Sequence, residues 1–472
     1  MASPIDVRRF DLAVLGTGSA NSIVTPEFDG WSVAIVEESV FGGTCLNRGC
    51  IPTKMFVYAA DIAEHVRHAH RLGVDATVDG IRWRDIRDRV FGRIDPIAAG
   101  GEDYRVNRCP NVTVFKGRGH FVGDRTIAVR GADGAETLIS GDRVVVAVGA
   151  RPSDPGIDGL SRVPFHTSDT IMRLDELPSH LVVIGGGFIA NELAHVFGSF
   201  GTRITMIHRG ERLLREQDVE ISRRFTEIVK ARANFDVRLN TTVSRARYDG
   251  RLVRLDLSDG SMVSADAMLV ATGRTPNSDT IETGLAGLTI DSKGRVVVDE
   301  TQATSAPGVW ALGDISSPYM LKHVANHEAR VVRRNLLADR AGTTVRARTD
   351  HRFVPSAVFT DPQLATVGLT EAAARAARHD VVVKVQAFGD TAYGWAMEDT
   401  TSICKLVADR SSHLLLGAHF MGPQSAILVQ QLIQGMSFGQ TVDEMATGQY
   451  FIHPALPEVV ENALLGLVEQ WS

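Results

Sequence analysis

An α/β fold with an appended α+β domain is the architecture this sequence predicts, and three observations predict it. An apolar strand running into a glycine-rich turn occurs twice, at Asp11–Gly18 and at Leu181–Gly187, each leading toward another strand that ends in polar residues. That is the pattern of βαβ units around a parallel sheet. A buried strand before a glycine turn also repeats, as Asp142–Gly149 and Asp266–Gly273, each closing one unit. From Val345 onward these signals stop. Strand-like segments at His351–Phe359, Val381–Phe388 and Ser402–Val407 then accompany a helical pattern at Ser425–Gly435, which predicts the third, α+β domain.

At 472 residues the chain exceeds what one hydrophobic core usually organises. Hydrophobic content of 44%, charged content of 22% and a net charge of −6 leave no basic excess for nucleic acid or an anionic membrane surface. The first apolar run, Phe10–Gly16, is broken by glycine and reads as a strand, not a signal peptide. Nothing approaches the roughly 18 apolar residues of a membrane span. A cytoplasmic location is therefore expected, in which Cys45, Cys50, Cys109 and Cys404 meet a reducing environment. A persistent structural disulfide is not expected there, and no metal site is read from the sequence.

The first turn, Gly16-Thr-Gly18-Ser-Ala-Asn21, offers a tight bend and close backbone approach to a pyrophosphate at a helix N-terminus, although its third glycine is missing. Glu37 ends the next strand at the distance that reaches a ribose hydroxyl. The alternative is a coincidental glycine turn. Directly after that strand come Cys45 and Cys50. Five residues of regular helix rise about 7.5 Å, beyond the reach of a disulfide, so a bridge requires a distorted turn, which Gly49 permits. Two unrelated buried thiols are the competing reading. Cys109, before Pro110, and Cys404, in a strand-like run, read as packing residues.

The run Gly42-Gly-Thr-Cys-Leu-Asn-Arg-Gly-Cys-Ile-Pro-Thr-Lys54 resembles the active-site signature of the flavoprotein disulfide reductases, which include glutathione reductase and dihydrolipoamide dehydrogenase. The likeness covers essentially the whole chain. It implies two Rossmann-like nucleotide-binding domains and a C-terminal dimerisation domain. FAD then takes 1–150 and 274–345, NADPH takes 151–273, and 346–472 pairs the subunits. It implies that Cys45 exchanges with substrate while Cys50 faces the flavin, with Lys54 beside them. Gly16, Gly18, Glu37, Gly43, Thr44, Gly149 and Gly273 fall to FAD, as does Asp314 in Ala311-Leu-Gly-Asp314, where a turn-capping aspartate is the bland alternative.

The second turn, Gly185-Gly-Gly187-Phe-Ile-Ala190-Asn-Glu192, tolerates alanine at its third position because helix and strand need only pack closely. The resemblance pairs Glu192 with Lys54 at the flavin; a solvated surface glutamate is the alternative. Gly185, Gly187 and Ala190 go to the nicotinamide cofactor. Where NADH enzymes carry a carboxylate, this chain has His208, followed by Arg209, Arg212 and Arg215. A 2′-phosphate needs cations, which favours NADPH. Arg209 and Arg215 match the phosphate-binding arginines of NADPH-using relatives, while Arg212 reads equally as a solvated helix charge.

Near the C-terminus, His453 precedes Glu458 by five residues with prolines at 454 and 457. The resemblance makes this an acid/base dyad that one subunit of a homodimer contributes to the other's active site. His323 and His327 read as packing or polar-contact residues. Several strings, among them Lys54–Ala60, Lys322–Arg330, Tyr393–Asp399 and His453–Asn462, narrow the resemblance to a branch that reduces a low-molecular-weight disulfide. Two positions depart from pattern: Ala20 stands where glycine is expected and Arg48 where valine is usual. Dihydrolipoamide dehydrogenases carry a second histidine where this chain has Phe451, and mercuric and large thioredoxin reductases use an added C-terminal redox pair, absent from Leu467–Ser472. A flavoprotein whose disulfide is a regulatory switch, not a turnover intermediate, is the reading of a different class.

Overall fold

The computed structural model describes residues 7–471. The chain forms two compact units: one runs up to Pro52 and continues through Arg87–Ser153 and Gly273–Asp350, the other comprises Thr53–Ile86, Asp154–Thr272 and the chain from His351 onward.

The first unit is built on a mixed sheet. Its parallel part has the order Val112–Lys116, Val33–Glu37, Val7–Leu15, Glu136–Val146 and Val309–Ala311. Thr126–Arg130 pairs antiparallel with Glu136–Val146, and Arg118–Gly123 with Thr126–Arg130. Side chains alternate across a strand, so each central strand must be apolar on both faces. Leu12, Val14, Val33, Ile35 and Val145 pack on one side with Ala329, Val332 and Leu336 of the helix Lys322–Arg340. Ala13, Leu15, Ala34, Val36, Val144 and Val146 pack on the other with Phe121 and Ile127.

In the second unit, four parallel strands lie in the order Phe235–Arg238, Arg203–Ile207, His180–Ile184 and Ala267–Val270. Val182, Ile184, Met268 and Val270 share a core with the antiparallel strands Val253–Leu257 and Met262–Ala265. The C-terminal part is an antiparallel sheet, Ser356–Val358, Leu364–Gly368, Leu415–Met421, Ile403–Asp409 and Val381–Ala387. On it pack the helices Ser425–Ser437, through Leu428, Leu432 and Met436, and Pro457–Val468, through Val460, Ala463, Leu464 and Leu467. That spacing of three and four is the apolar stripe of an amphipathic helix. The α/β class with an α+β C-terminal part is therefore as expected.

Two local expectations are corrected. Of the segment His351–Phe359, only Ser356–Val358 is strand. The first glycine turn does not open an α-helix: Ser19–Ser22 is a single 3₁₀ turn, followed by a second at Pro26–Phe28. Pro26 excludes the α region from the residue before it, and Thr25 accordingly sits at φ −110°, ψ 174°.

Candidate active site

In the first unit, Gly16 turns the chain at φ 99°, and a Cβ there would lie 2.4 Å from the Ala147 carbonyl oxygen. Only glycine fits. A Cβ on Gly43 would come within 2.8 Å of the Gly18 Cα, so these two turns meet backbone to backbone. Bare backbone of this kind cradles a pyrophosphate, and the residues present fit the dinucleotide of a flavin. Thr44 follows on the helical turn Gly43–Asn47. The Glu37 carboxylate accepts from Thr17 N at 3.0 Å and Thr17 Oγ1 at 2.6 Å on one oxygen, and from Ser39 N at 2.9 Å on the other. The acid is thereby anchored to the turn it follows by 20 residues.

Gly149 and Gly273 flank a two-stranded ribbon, Ala150–Pro152 with Arg274–Pro276. Asn277 N donates to the Gly149 carbonyl and Ser153 N to the Gly273 carbonyl, each at 3.0 Å. Asp314 lies in the 3₁₀ turn Gly313–Ile315, with Arg274 Nε 3.8 Å from its carboxylate. Burial pushes the Asp314 carboxyl above the usual range; the Arg274 guanidinium opposes this, Glu328 adds to it and Lys322 opposes it.

Cys45 is half-buried on the turn Gly43–Asn47, and Cys50, exposed, is the first residue of the helix Cys50–His68. Between them Arg48 leaves helical geometry at φ −152°, ψ 21°, so the regular rise that would separate the cysteines is interrupted. Buried Asn47 braces the turn by donating from Nδ2 to the carbonyls of Phe41 at 2.8 Å and Gly43 at 3.0 Å. Arg48 Nη2 donates to Ser39 Oγ at 3.1 Å, tying the segment between the cysteines to the end of the Glu37 strand. Lys54 follows Cys50 by one helical turn.

In the second unit Lys54 Nζ lies 2.7 and 2.6 Å from the two oxygens of Glu192, which is 3% exposed and also accepts from Phe359 N at 2.9 Å. Glu192 is no solvated surface acid. It sits on the helix Phe188–Ser199, which opens at Gly187 and buries Ala190. Gly185, at φ 138°, leaves no room for a Cβ, which would lie 2.3 Å from the Ala271 carbonyl oxygen.

The strand Arg203–Ile207 ends at His208, whose ring lies against Gly186 and Gly210. Burial, then the positive charges of Arg215 and Arg209, lower its pKa below the ordinary imidazole range. Arg209 and Arg215 are exposed; Arg215 pairs with Glu216 at 3.1 Å and half-buried Arg212 with Glu211. Two exposed guanidiniums, with no carboxylate at position 208, suit a phosphate dianion.

His453 Nδ1 lies 2.6 Å from Glu458 Oε1. Glu458 belongs to the first turn of the helix Pro457–Val468, and its other oxygen accepts from Ala455 N at 3.3 Å. His327 Nε2 accepts from Asp350 N at 3.3 Å. Cys404 is fully buried, which raises its thiol pKa well above the ordinary value, and Cys109 is half-buried.

Sequence reasoning missed a buried ionic cluster. Lys405 Nζ, 5% exposed, lies 2.9 Å from Asp218 Oδ1 and 2.8 Å from Glu371 Oε2. It also missed Arg232, which bonds Glu64 at 2.5 Å, and His195, which meets Asp61 at 2.8 Å. The one available signal was Asp218 as a helix-capping residue before Val219.

Residues 10–329 match the family described as pyridine nucleotide-disulphide oxidoreductase, and residues 354–464 its dimerisation domain. The chain belongs to the pyridine nucleotide-disulphide oxidoreductase family. Mycothione reductase from Mycobacterium tuberculosis is 54% identical over 462 residues, covering 97% of this chain and 99% of that protein. Glutathione reductase from Burkholderia cepacia is 32% identical over 464 residues, covering 95% and 97%. Among solved structures, the HOCl-induced flavoprotein disulfide reductase RclA from Escherichia coli superposes with a TM-score of 0.83 at 27% identity, covering 96% of this chain and 99% of that one. The chain is thus a disulfide oxidoreductase, of a family that works with a flavin and a pyridine nucleotide. Among the described residues, no helix is long and apolar enough to cross a membrane.

Proposed function

We propose that this chain is a cytoplasmic, homodimeric, NADPH-dependent reductase of mycothione, the disulfide of mycothiol. The observation that carries the reading is the Cys45-x₄-Cys50 pair, set across a broken helical turn beside a glycine-built nucleotide cradle. The 54% identity to mycothione reductase supports the substrate, and the exposed Arg209 and Arg215 with His208 in place of a carboxylate support NADPH.

In this reading FAD is held by Gly16, Gly18, Glu37, Gly43, Thr44, Gly149, Gly273 and Asp314, and NADPH by Gly185, Gly187, Ala190, Arg209 and Arg215. Bound FAD supplies the relay that carries two electrons from the nicotinamide to the Cys45–Cys50 disulfide. Lys54 and Glu192 form a charge-compensated pair, which the family resemblance assigns to the flavin. The Cys45 thiolate attacks one sulfur of the substrate, forming a mixed disulfide and releasing the first thiol, which His453 protonates. Cys50 thiolate, favoured by the positive end of its helix, then attacks the Cys45 sulfur, releases the second thiol and restores the Cys45–Cys50 disulfide. Glu458, by holding Nδ1, leaves Nε2 of His453 to move the proton.

The segment assignment follows: 1–150 and 274–345 for FAD, 151–273 for NADPH, 346–472 for the partner. The C-terminal part supports this last role through the exposed apolar side chains Ile427, Phe438, Tyr450 and Ile452, the last two just before His453 in the chain. Anaerobic titration with NADPH tests the reading. Purified yellow protein should accept one equivalent to reduce the Cys45–Cys50 disulfide to the dithiol before the flavin bleaches; bleaching with the first equivalent and unreactive cysteines would refute it.

A further inference from the structure

The arginines proposed for the 2′-phosphate stand on a loop, 208–217, between the strand Arg203–Ile207 and the helix Val219–Lys230. The loop is stapled to that helix: Leu213 N donates to Thr226 Oγ1 at 3.0 Å and Ser222 Oγ donates to the Leu213 carbonyl at 2.6 Å. Leu214 N donates to the Gly186 carbonyl at 2.8 Å, joining the loop to the glycine turn as well. Where the helix begins therefore sets where Arg215 stands.

The helix begins at Asp218, whose Oδ1 caps Glu220 N at 3.0 Å although the residue is 2% exposed. Its charge is met from the C-terminal sheet. Lys405, on the strand Ile403–Asp409, reaches the same Oδ1 at 2.9 Å, Glu371 Oε2 at 2.8 Å and Glu220 Oε2 at 3.8 Å. Glu371 N donates to Asp218 Oδ2 at 3.3 Å. His419, opposite Lys405 on the neighbouring strand, is taken up by Thr366 Oγ1 and the Leu369 carbonyl. A buried carboxylate without its cation must move to water or take a proton. Either response releases the start of the helix, and with it the stapled loop.

Resting on the NADPH reading above, we propose that Lys405 is a positioning residue for cofactor selectivity, holding the arginine loop in place through Asp218 from the C-terminal domain of the same chain. NADH presents no phosphate to that loop, so its binding does not depend on the anchor. The effect separates the two cofactors, whereas a merely structural role would not.

The test is calorimetric titration of the full-length, FAD-loaded enzyme with NADP⁺ and with NAD⁺. Lys405→Gln should weaken NADP⁺ about tenfold, the worth of one charge-assisted contact, and change NAD⁺ less than about twofold. Should that variant not fold, Asp218→Asn replaces it, since the amide keeps one capping oxygen while removing the paired charge and the second oxygen that accepts from Glu371 N; the same selective loss is expected. Equal weakening of both nucleotides, or no change in either, overturns the proposal. A parent enzyme that binds NAD⁺ as tightly as NADP⁺ instead defeats the NADPH reading on which it rests.

Discussion

Nδ1 of His453 sits 2.6 Å from Oε1 of Glu458, with the imidazole 71% exposed and the carboxylate only 15%. The acid is held from within the chain while the base faces outward, as a group offered to a second subunit requires. His453→Ala should lower disulfide turnover about 10²- to 10⁴-fold, the usual share of a general acid/base. Mixing inactive Cys45→Ser and His453→Ala enzymes under subunit exchange should restore activity, because one heterodimer site then has both groups. Verified exchange without recovery would show that His453 acts within its own chain.

The two thiols should fail differently. Cys45→Ser should abolish disulfide reduction while a Cys50 thiolate still gives a long-wavelength absorption band beside the flavin; Cys50→Ser should lose that band. Full turnover by Cys45→Ser would reverse the assignment.

Removing charge at Arg209 and Arg215 should weaken NADPH selectively. Each charge-assisted contact is worth roughly 1.5 to 3 kcal/mol, about ten- to a hundredfold in affinity. Comparing dissociation constants for NADPH and NADH in Arg209→Ala and Arg215→Ala checks this, and equal losses would make the arginines structural.

Burial lowers the pKa of His166, His180, His208 and His419 below the usual 6.5. A depressed folded pKa means that the unfolded chain takes up the proton first. The stability these residues contribute is fully present above pH 6.5 and is lost as pH falls through their folded values. Melting temperature should therefore drop as pH is lowered from about 7 to 5, and His419→Gln should flatten that slope. A melting temperature that is level or rises on acidification would contradict this.

Much of the candidate site was legible because its chemistry is local in sequence. Cys45 with Cys50, and His453 with Glu458, lie within one motif each, and the Lys54–Glu192 contact followed from the family resemblance those motifs carry. The Lys405–Asp218–Glu371 cluster was not legible: Lys405 lies 187 residues from Asp218, and nothing local marks a lysine in a strand as buried. The 3₁₀ turn at Ser19–Ser22 was misread as a helix start because the glycine pattern was weighed without Pro26, which stops a helix from forming.

The central claim, NADPH-driven reduction of mycothione through Cys45 and Cys50, is tested most directly by steady-state NADPH oxidation with mycothiol, glutathione and lipoamide disulfides side by side. Turnover should be fast with mycothiol disulfide, at least about tenfold lower in kcat/KM with the other two, and absent in Cys45→Ser. Oxidation that prefers glutathione or lipoamide disulfide, or that proceeds at the same rate without any disulfide, would contradict it.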